Sequence, residues 1–281
     1  MLYKNIEWKN YHGALIPKTA PHIEVNLSND EQQELLSQSK AYFLRYVSKW
    51  DTDKQSEFWY IIKDKDENLE QYKSKIRNQI KKGLKNCIVK KVSNQEIAAN
   101  GYLVYKNAFK NYNRTMPIVN KNIFKKNILN STCDFFAVYE MGGGIIIAYS
   151  QNFIENNSIN YSTIKFDPTY LKLYPSYALF YEMNRYYLNE QKNLYVNDGA
   201  KSISHDTNIQ EFLEKKFNFR KAYCKLEIVY RWDIKILVSI LYPFKQFIFN
   251  INNKIFKKLS VLLRHEEIRR SYENNTKIKF N

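Results

Sequence analysis

The sequence predicts an α/β protein of the α+β kind: a mixed central sheet flanked by helices, with helical extensions at both ends. Three observations carry this expectation. Between residues 87 and 230, strand-like and helix-like stretches follow in the order β-α-α-β-β-β-α-β-α-β. Within that span Met141-Gly142-Gly143-Gly144 joins two apolar runs as a hairpin, because glycine adopts the positive φ angles of a tight turn without steric cost. The stretch from Tyr195 to Tyr230 reads as strand, capped helix and strand in succession.

A chain of 281 residues can bury a full core, and its composition suggests an N-terminal extension over 1–86, a central domain over 87–230 and a basic, aromatic helical segment over 231–281. Aromatic residues make up 16% of the chain and only 7 residues are Gly, which argues for packing rather than disorder. Cys87, Cys133 and Cys224 are isolated and odd in number, and the histidines are scattered, so neither a disulfide framework nor a metal site is expected. Met1 to Asn10 carries Lys4, Glu7 and Lys9 and has no apolar core of a secretory signal, so a cytoplasmic location is expected. The formal charge of +16 favours anions of any kind. Abundant Asn and Ile fit general lysine enrichment, and no RRM, KH or helix-turn-helix signature is present, so DNA is not an expected partner.

Along the chain, Trp8, Tyr11 and Leu15-Ile16-Pro17 form a short aromatic entry that takes no assigned element. Ser28 and Glu31 have capping-box spacing, and Leu35, Leu36, Tyr42, Phe43 and Tyr46 extend the helix they open to about Trp50. Phe58 to Ile62 reads as a strand. Tyr72 to Lys85 is a helical run carrying Lys73, Lys75, Arg77, Lys81, Lys82 and Lys85; such a face is solvated, and it is also the best contact for a polyanion. Cys87 to Val92 is a strand, Ser93 and Glu96 form a second capping box before a helix from Gln95 to about Tyr112, and another helix covers Asn122 to Leu129.

The hairpin strands are Asp134 to Glu140 and Ile145 to Ser150. A strand follows the glycines, so they form a turn; a phosphate loop needs Gly-Lys-Ser/Thr leading into a helix. Asn160 to Phe166 is the next strand and Tyr174 to Leu188 the next helix, with Pro175 favourable at its first position. Tyr195 and Val196 are β-prone and are closed by the turn residues Asn197, Asp198 and Gly199. Thr207 or Asn208 caps the helix Ile209 to Phe217, with Glu211 near its positive end. Ile209, Phe212, Leu213 and Phe217 make its apolar stripe, while Gln210, Glu214 and Lys215 face away. Asn218 ends the helix, since Asn tolerates the left-handed cap conformation, and Ala222 to Tyr230 is a strand.

Beyond Arg231 the composition changes. Between Ile234 and Phe249 only Lys235 and Lys245 are charged; then Lys254, Lys257, Lys258 and Arg264 interleave with Phe256, Leu259 and Leu262. Pro243 interrupts the run, and no apolar span reaches the roughly 18 residues needed to cross a bilayer. The segment suits either a helix pair packed on the domain or an interfacial helix on anionic lipid at the inner membrane face. From Ser271 the end is polar and expected to fray.

Asn208, the amphipathic helix, Asn218-Phe219-Arg220 and the strand after them resemble the last third of the GNAT acyltransferase fold, and the chain resembles the FemAB-like branch of that superfamily. Phe219 matches the Phe of the Gly-Phe pair that usually ends this helix, and Asn218 stands in place of the Gly. The matching order of elements covers about half the chain. The resemblance implies an acyl donor, either acyl-CoA (acetyl-CoA) or aminoacyl-tRNA, laid between two parting parallel strands with its phosphates at the start of the next helix. Here that place is Tyr174, Ser176 and Tyr177, with Asn208 as the helix-opening Asn near the cofactor. The usual Arg/Gln-x-x-Gly-x-Gly/Ala is absent, and Glu214 stands where many members carry a Tyr acid; both departures fit the looser motifs of the FemAB-like branch.

An attacking amine must lose a proton, so a carboxylate or imidazole must lie within reach. His205 and Asp198, beside the second strand of the implied cleft, rank ahead of Glu140 at a strand end. The resemblance implies an N-acyltransferase acting on an amine acceptor, such as a surface-polysaccharide or cell-envelope precursor. An aminoacyl-tRNA-dependent peptidoglycan peptide ligase and a non-catalytic binding module of the same fold are the alternatives.

Overall fold

The computed structural model describes residues 1–109, 117–142, 144–203 and 208–277. The chain forms two compact units: Met1–Tyr60 with Ala200–Asn208 and Lys221–Asn281, and Ile61–Gly199 with Ile209–Arg220. Each is discontinuous in sequence, unlike the consecutive segments 1–86, 87–230 and 231–281.

In the first unit β1 (Leu2–Tyr3), β2 (Ile6–Tyr11), β3 (Ala14–Pro17), β4 (Phe43–Ser48) and β12 (Lys225–Tyr230) form a sheet in that order. All neighbours are antiparallel except β3 and β4, which the crossover helix α1 (Asn29–Gln38) joins in parallel. The aromatic entry is therefore a hairpin, with Trp8 opposite Pro17. The capping box of α1 is complete: Glu31 N–H donates to Ser28 Oγ at 3.3 Å and Ser28 N–H to the Glu31 carboxylate at 2.8 Å. The helix stops at Gln38 rather than near Trp50, and within the first sixty residues strand outweighs helix, so this part is not a helical extension. Phe43 to Ser48 has helical spacing, but its β-prone residues pair along their whole length with β12, and that ladder wins.

Leu35 and Leu36 of α1 cover one face of this sheet together with Trp8, Leu15 and Leu44. The other face is covered by α8 (Trp232–Leu241), α9 (Lys245–Phe249) and α10 (Lys254–Lys277), through Val238, Ile248 and Leu263 against Phe43, Leu226 and Ile228. Helix α10 continues past Ser271, where fraying was expected.

The sheet of the second unit runs β5 (Trp59–Lys63, entering the unit at Ile61), β10 (Tyr195–Ala200), β9 (Ser158–Phe166), β8 (Ile146–Glu155), β7 (Asp134–Glu140) and β6 (Cys87–Val92). From β6 to β9 the ladders are antiparallel; β9 and β10 are parallel. Side chains alternate across β7: Phe135 and Ala137 meet α3 (Asn94–Asn100), α4 (Tyr102–Ala108) and α5 (Lys121–Leu129), whereas Phe136 meets Tyr186 and Tyr187 after α6 (Pro175–Asn184). Helix α2 (Ser74–Asn86) packs beside α6, and α7 (Asn208–Phe217) sets Phe212 and Phe217 against Tyr177 and Phe180 of α6.

Several boundaries depart from expectation. The helix begun at Gln95 breaks at Gly101, where a Cβ would meet Ile97 O at 2.8 Å; its expected end, within 110–116, lies outside the described residues. The strand expected over Ala222 to Tyr230 is two, β11 (Arg220–Tyr223) and β12, divided at Cys224, whose N–H donates to Phe58 O at 3.2 Å. Helix α6 passes into a π-helical turn over Arg185–Glu190. Of the hairpin glycines Gly144 behaves as read, with φ +64° and its N–H donating to Glu140 O, and Gly143 lies outside the described residues.

Candidate active site

The parallel ladder of the second unit joins Tyr195, Val196 and Asn197 to Ser158, Ile159 and Asn160. It stops there, while β9 runs on to Phe166 beside β8 and β10 runs on to Ala200. Asn197, Asp198 and Gly199 were expected to close β10 as a turn; they are its last strand residues instead. Asn197 fixes the point of departure from both sides. Its Nδ2 donates to Ile159 O at 2.9 Å across the ladder, and its Oδ1 accepts from Gly199 N–H at 3.0 Å, holding Gly199 at φ +82°.

Asp198 is the first residue of β10 past the ladder. It is half-buried, and its carboxylate has no hydrogen-bond or ion-pair partner among the described residues. Burial pushes the carboxyl up to about 7, because a charge withdrawn from water without compensation favours its neutral form. Its backbone is held in place: Gln210 Nε2 donates to Asp198 O at 3.3 Å. Gln210 therefore does not face away from the body of the unit; it is buried. On β9, just past the ladder, buried Tyr161 donates its hydroxyl proton to Asn184 Oδ1 at 2.8 Å, and burial raises its own pKa far above the ordinary phenol value. A carboxyl poised near neutrality at the opening of a sheet is the arrangement a general base requires.

The start of α6 collects Tyr174, Ser176 and Tyr177. Tyr174 adopts the left-handed conformation, φ +62°, and its carbonyl accepts from Tyr177 N–H at 3.1 Å and Ala178 N–H at 3.4 Å. Pro175 has no N–H. Gly83 of α2 packs directly on this turn, for a Cβ there would meet Tyr174 O at 2.7 Å and Ala178 N at 3.1 Å. A pyrophosphate cradle of several free backbone N–H groups is thus not formed at these residues; the Ser176 N–H and hydroxyl are what the turn offers an anion. Exposed Lys82 of α2 stands 5.8 Å from the Tyr174 ring, and Lys73, Lys75, Lys81 and Lys85 are exposed along the same helix.

Glu140 ends β7 opposite Cys87. Two strands separate β7 from β10, about 14 Å at the usual interstrand spacing, so the structure does not bring Glu140 to Asp198. His205 lies outside the described residues. Asn208 is the first, exposed residue of α7. Among the described residues no group of three His, Cys, Asp or Glu side chains is placed to hold a metal ion.

Sequence reasoning missed Tyr161, Asn184, Asn197 and Gln210 as parts of the opening, and also the pair Lys63 and Glu67. Lys63 is 2% exposed, its Nζ lies 2.6 Å from Glu67, and burial lowers its pKa. Asn218, left-handed at φ +55° as its cap role required, donates Nδ2 to the same carboxylate at 3.1 Å. The one available signal was the Asn-Asp-Gly run itself, which fits a constrained strand end as well as a turn.

No family model matches the chain, and no curated protein sequence matches it. Among solved structures the chain is similar to FemX, with TM-score 0.54 and 11% identity over 77% of this chain and 81% of that one. It is similar to the C-terminal domain of a protein described as a lysylphosphatidylglycerol synthetase from Agrobacterium fabrum, with TM-score 0.53 and 12% identity over 85% and 86%. It is also similar to L-PGS from Bacillus licheniformis, with TM-score 0.52 and 13% identity over 92% and 85%. At such identities the likeness is one of architecture. The parallel pair that ends early, the crossover helix α6 and the antiparallel strands before them agree with it: the fold of this chain is GNAT-type and FemAB-like.

Proposed function

We propose that the protein is an N-acyltransferase that moves an acyl or aminoacyl group onto an amine of a cell-envelope or surface-polysaccharide precursor, with Asp198 as its general base. The observation that carries this reading is the half-buried carboxylate at the end of the β9–β10 ladder, without a partner among the described residues. When an amine nitrogen bonds to an acyl carbon and the ester or thioester bond breaks, the nitrogen must shed a proton. A carboxyl titrating near 7 is partly ionised at neutral pH; its carboxylate takes that proton and its acid form can return one to the leaving group. Asn197 and Gln210 are positioning residues, since they hold the backbone on either side of Asp198. The likeness to a lysylphosphatidylglycerol synthetase, whose name describes an aminoacylated lipid, supports an envelope acceptor.

A second reading concerns the donor and favours aminoacyl-tRNA, as in a peptidoglycan peptide ligase. Its observation is the start of α6: with two N–H groups already bonded to Tyr174 O and a proline beside them, this turn suits the pyrophosphate of a CoA thioester poorly, whereas the exposed lysines of α2 suit a polyanion. The test incubates the pure protein with a panel of acyl-CoAs and charged tRNAs and measures protection against thermal unfolding. Protection by charged tRNA alone supports the second donor, and protection by an acyl-CoA supports the first. Protection by neither removes the transferase reading and leaves a binding module of this fold.

A further inference from the structure

Helices α8 and α9, with the 3-10 turn Tyr242–Phe244 between them, are apolar on two sides. The inner side is accounted for: Val238 and Ile248 are buried in the core of the first unit, with Ile234 and Leu241 packed against it. The outer side is not. Trp232, Ile236, Ile240, Phe244 and Phe247 are spaced four, four, four and three residues apart, so they fall on one stripe of a helical path. They are exposed by 73%, 54%, 61%, 61% and 71%. A surface helix of a water-soluble unit normally turns polar residues outward, and an apolar stripe of this length marks a surface that another apolar phase covers.

The charges of the same segment select the phase. From Ile234 to Arg264 the chain holds Lys235, Lys245, Lys254, Lys257, Lys258 and Arg264 and no Asp or Glu. Lys245 is paired with Glu267, whereas Lys235, Lys257, Lys258 and Arg264 are exposed. A second copy of the chain would bring the same cations against themselves. A bilayer surface bearing anionic lipid accepts both features, with the apolar stripe between the headgroups and the cations beside the phosphates. Among the described residues no helix is long and apolar enough to cross a membrane, so the contact is with one leaflet.

We propose that the stripe Trp232-Ile236-Ile240-Phe244-Phe247 docks the first unit on an anionic membrane surface, lying in its plane, with Lys235, Lys257, Lys258 and Arg264 contacting the phosphates. This surface is independent of the transfer chemistry in the second unit.

The test is flotation of the intact protein with vesicles of phosphatidylcholine alone and of phosphatidylcholine with phosphatidylglycerol. Recovery with the anionic vesicles is expected to exceed that with neutral ones by about tenfold or more. The pair Ile240→Ser and Phe244→Ser, and separately the pair Lys257→Glu and Lys258→Glu, are each expected to lower it about tenfold or more, since each surface cation contributes about fivefold. The altered side chains are exposed, so thermal unfolding should not move. If it moves for the apolar pair, the lysine pair and the loss of lipid-induced Trp emission change in Trp232→Phe carry the test. Equal recovery with both vesicles, recovery with neither, or self-association in solution that Ile240→Ser and Phe244→Ser abolish would overturn the proposal.

Discussion

Each unit contains a parallel strand pair joined by a crossover helix, and the two pairs end differently. In the first unit the ladder joins Ala14 to Phe43 and Leu15 to Leu44. The next residue of β4, Arg45, donates from Nη1 to His265 Nε2 at 3.3 Å, and the Phe43 ring packs 5.4 Å from the imidazole. Val261 O, a carbonyl, lies 2.7 Å from His265 Nδ1, so Nδ1 carries the proton and Nε2 accepts. Both ring nitrogens are used, and burial lowers His265 to about 4. In the second unit Asp198 stands just past the end of its ladder with a carboxylate that no described residue binds. The same piece of fold is sealed where α10 supplies His265 to Arg45 and remains open where no described residue partners Asp198; the strand topology alone makes no site.

The largest expected effect breaks this comparison most cleanly. Asp198→Asn is expected to lower turnover by about 10² to 10⁴-fold, with the protein folded and its protection by donor unchanged. His265→Gln, at the corresponding place in the other unit, should leave turnover alone. Steady-state kinetics with the donor found by the protection panel measures both, and equal losses would mean that the two junctions do not differ in kind.

A second expectation sharpens the contrast through opposite signs in pH. Asp198 is raised from 3.8 to about 7, so between those values the folded state binds the extra proton; the stability it allows is present below about 3.8 and lost as pH rises through 7. Asp198→Asn should therefore be more stable than the parent above pH 7, by up to about 4 kcal/mol at 1.36 kcal/mol per pKa unit, and no more stable in acid. His265 is lowered from 6.5 to about 4, so the unfolded state binds the extra proton, and stability falls as pH drops from 6.5 towards 4. His265→Gln should flatten that acid limb. Urea unfolding across pH separates the two, and a common sign for both would refute the assignment.

Much of the second unit was legible because its signals are local. The strands Cys87–Val92 and Asp134–Glu140, the glycine hairpin, the Asn218 cap and the amphipathic α7 each follow from side chains within a few residues. The first unit was less legible, since β4 has apolar residues at helical spacing and becomes a strand by pairing with β3 and with β12, the latter nearly two hundred residues later. The site divides likewise. Asp198 was singled out from an implied strand end, but the length of the β9–β10 ladder, the inward turn of Gln210 and the crowding of α6 by Gly83 are tertiary facts that no spacing encodes.

The smallest effect concerns the donor end. Ser176→Glu places a carboxylate at the positive end of α6, which should stabilise the helix by about 0.3–1 kcal/mol while repelling donor phosphates. A fall of about fivefold in donor affinity, read by titration of the thermal shift, fits a donor at this turn. Unchanged affinity moves the donor elsewhere, and the lysine face of α2 becomes the surface to alter.

One carboxyl, at the end of the β9–β10 ladder, is held near neutrality by burial, with no partner among the described residues. Its most direct test needs no substrate: a pH titration of the Asp side-chain carboxyl carbons by NMR, in the parent and in Asp198→Asn. One Asp resonance is expected to titrate near 7 and to be absent from the variant. An Asp198 resonance titrating near 4 would contradict the account, because the carboxylate would then be solvated or paired and the opening would have no base.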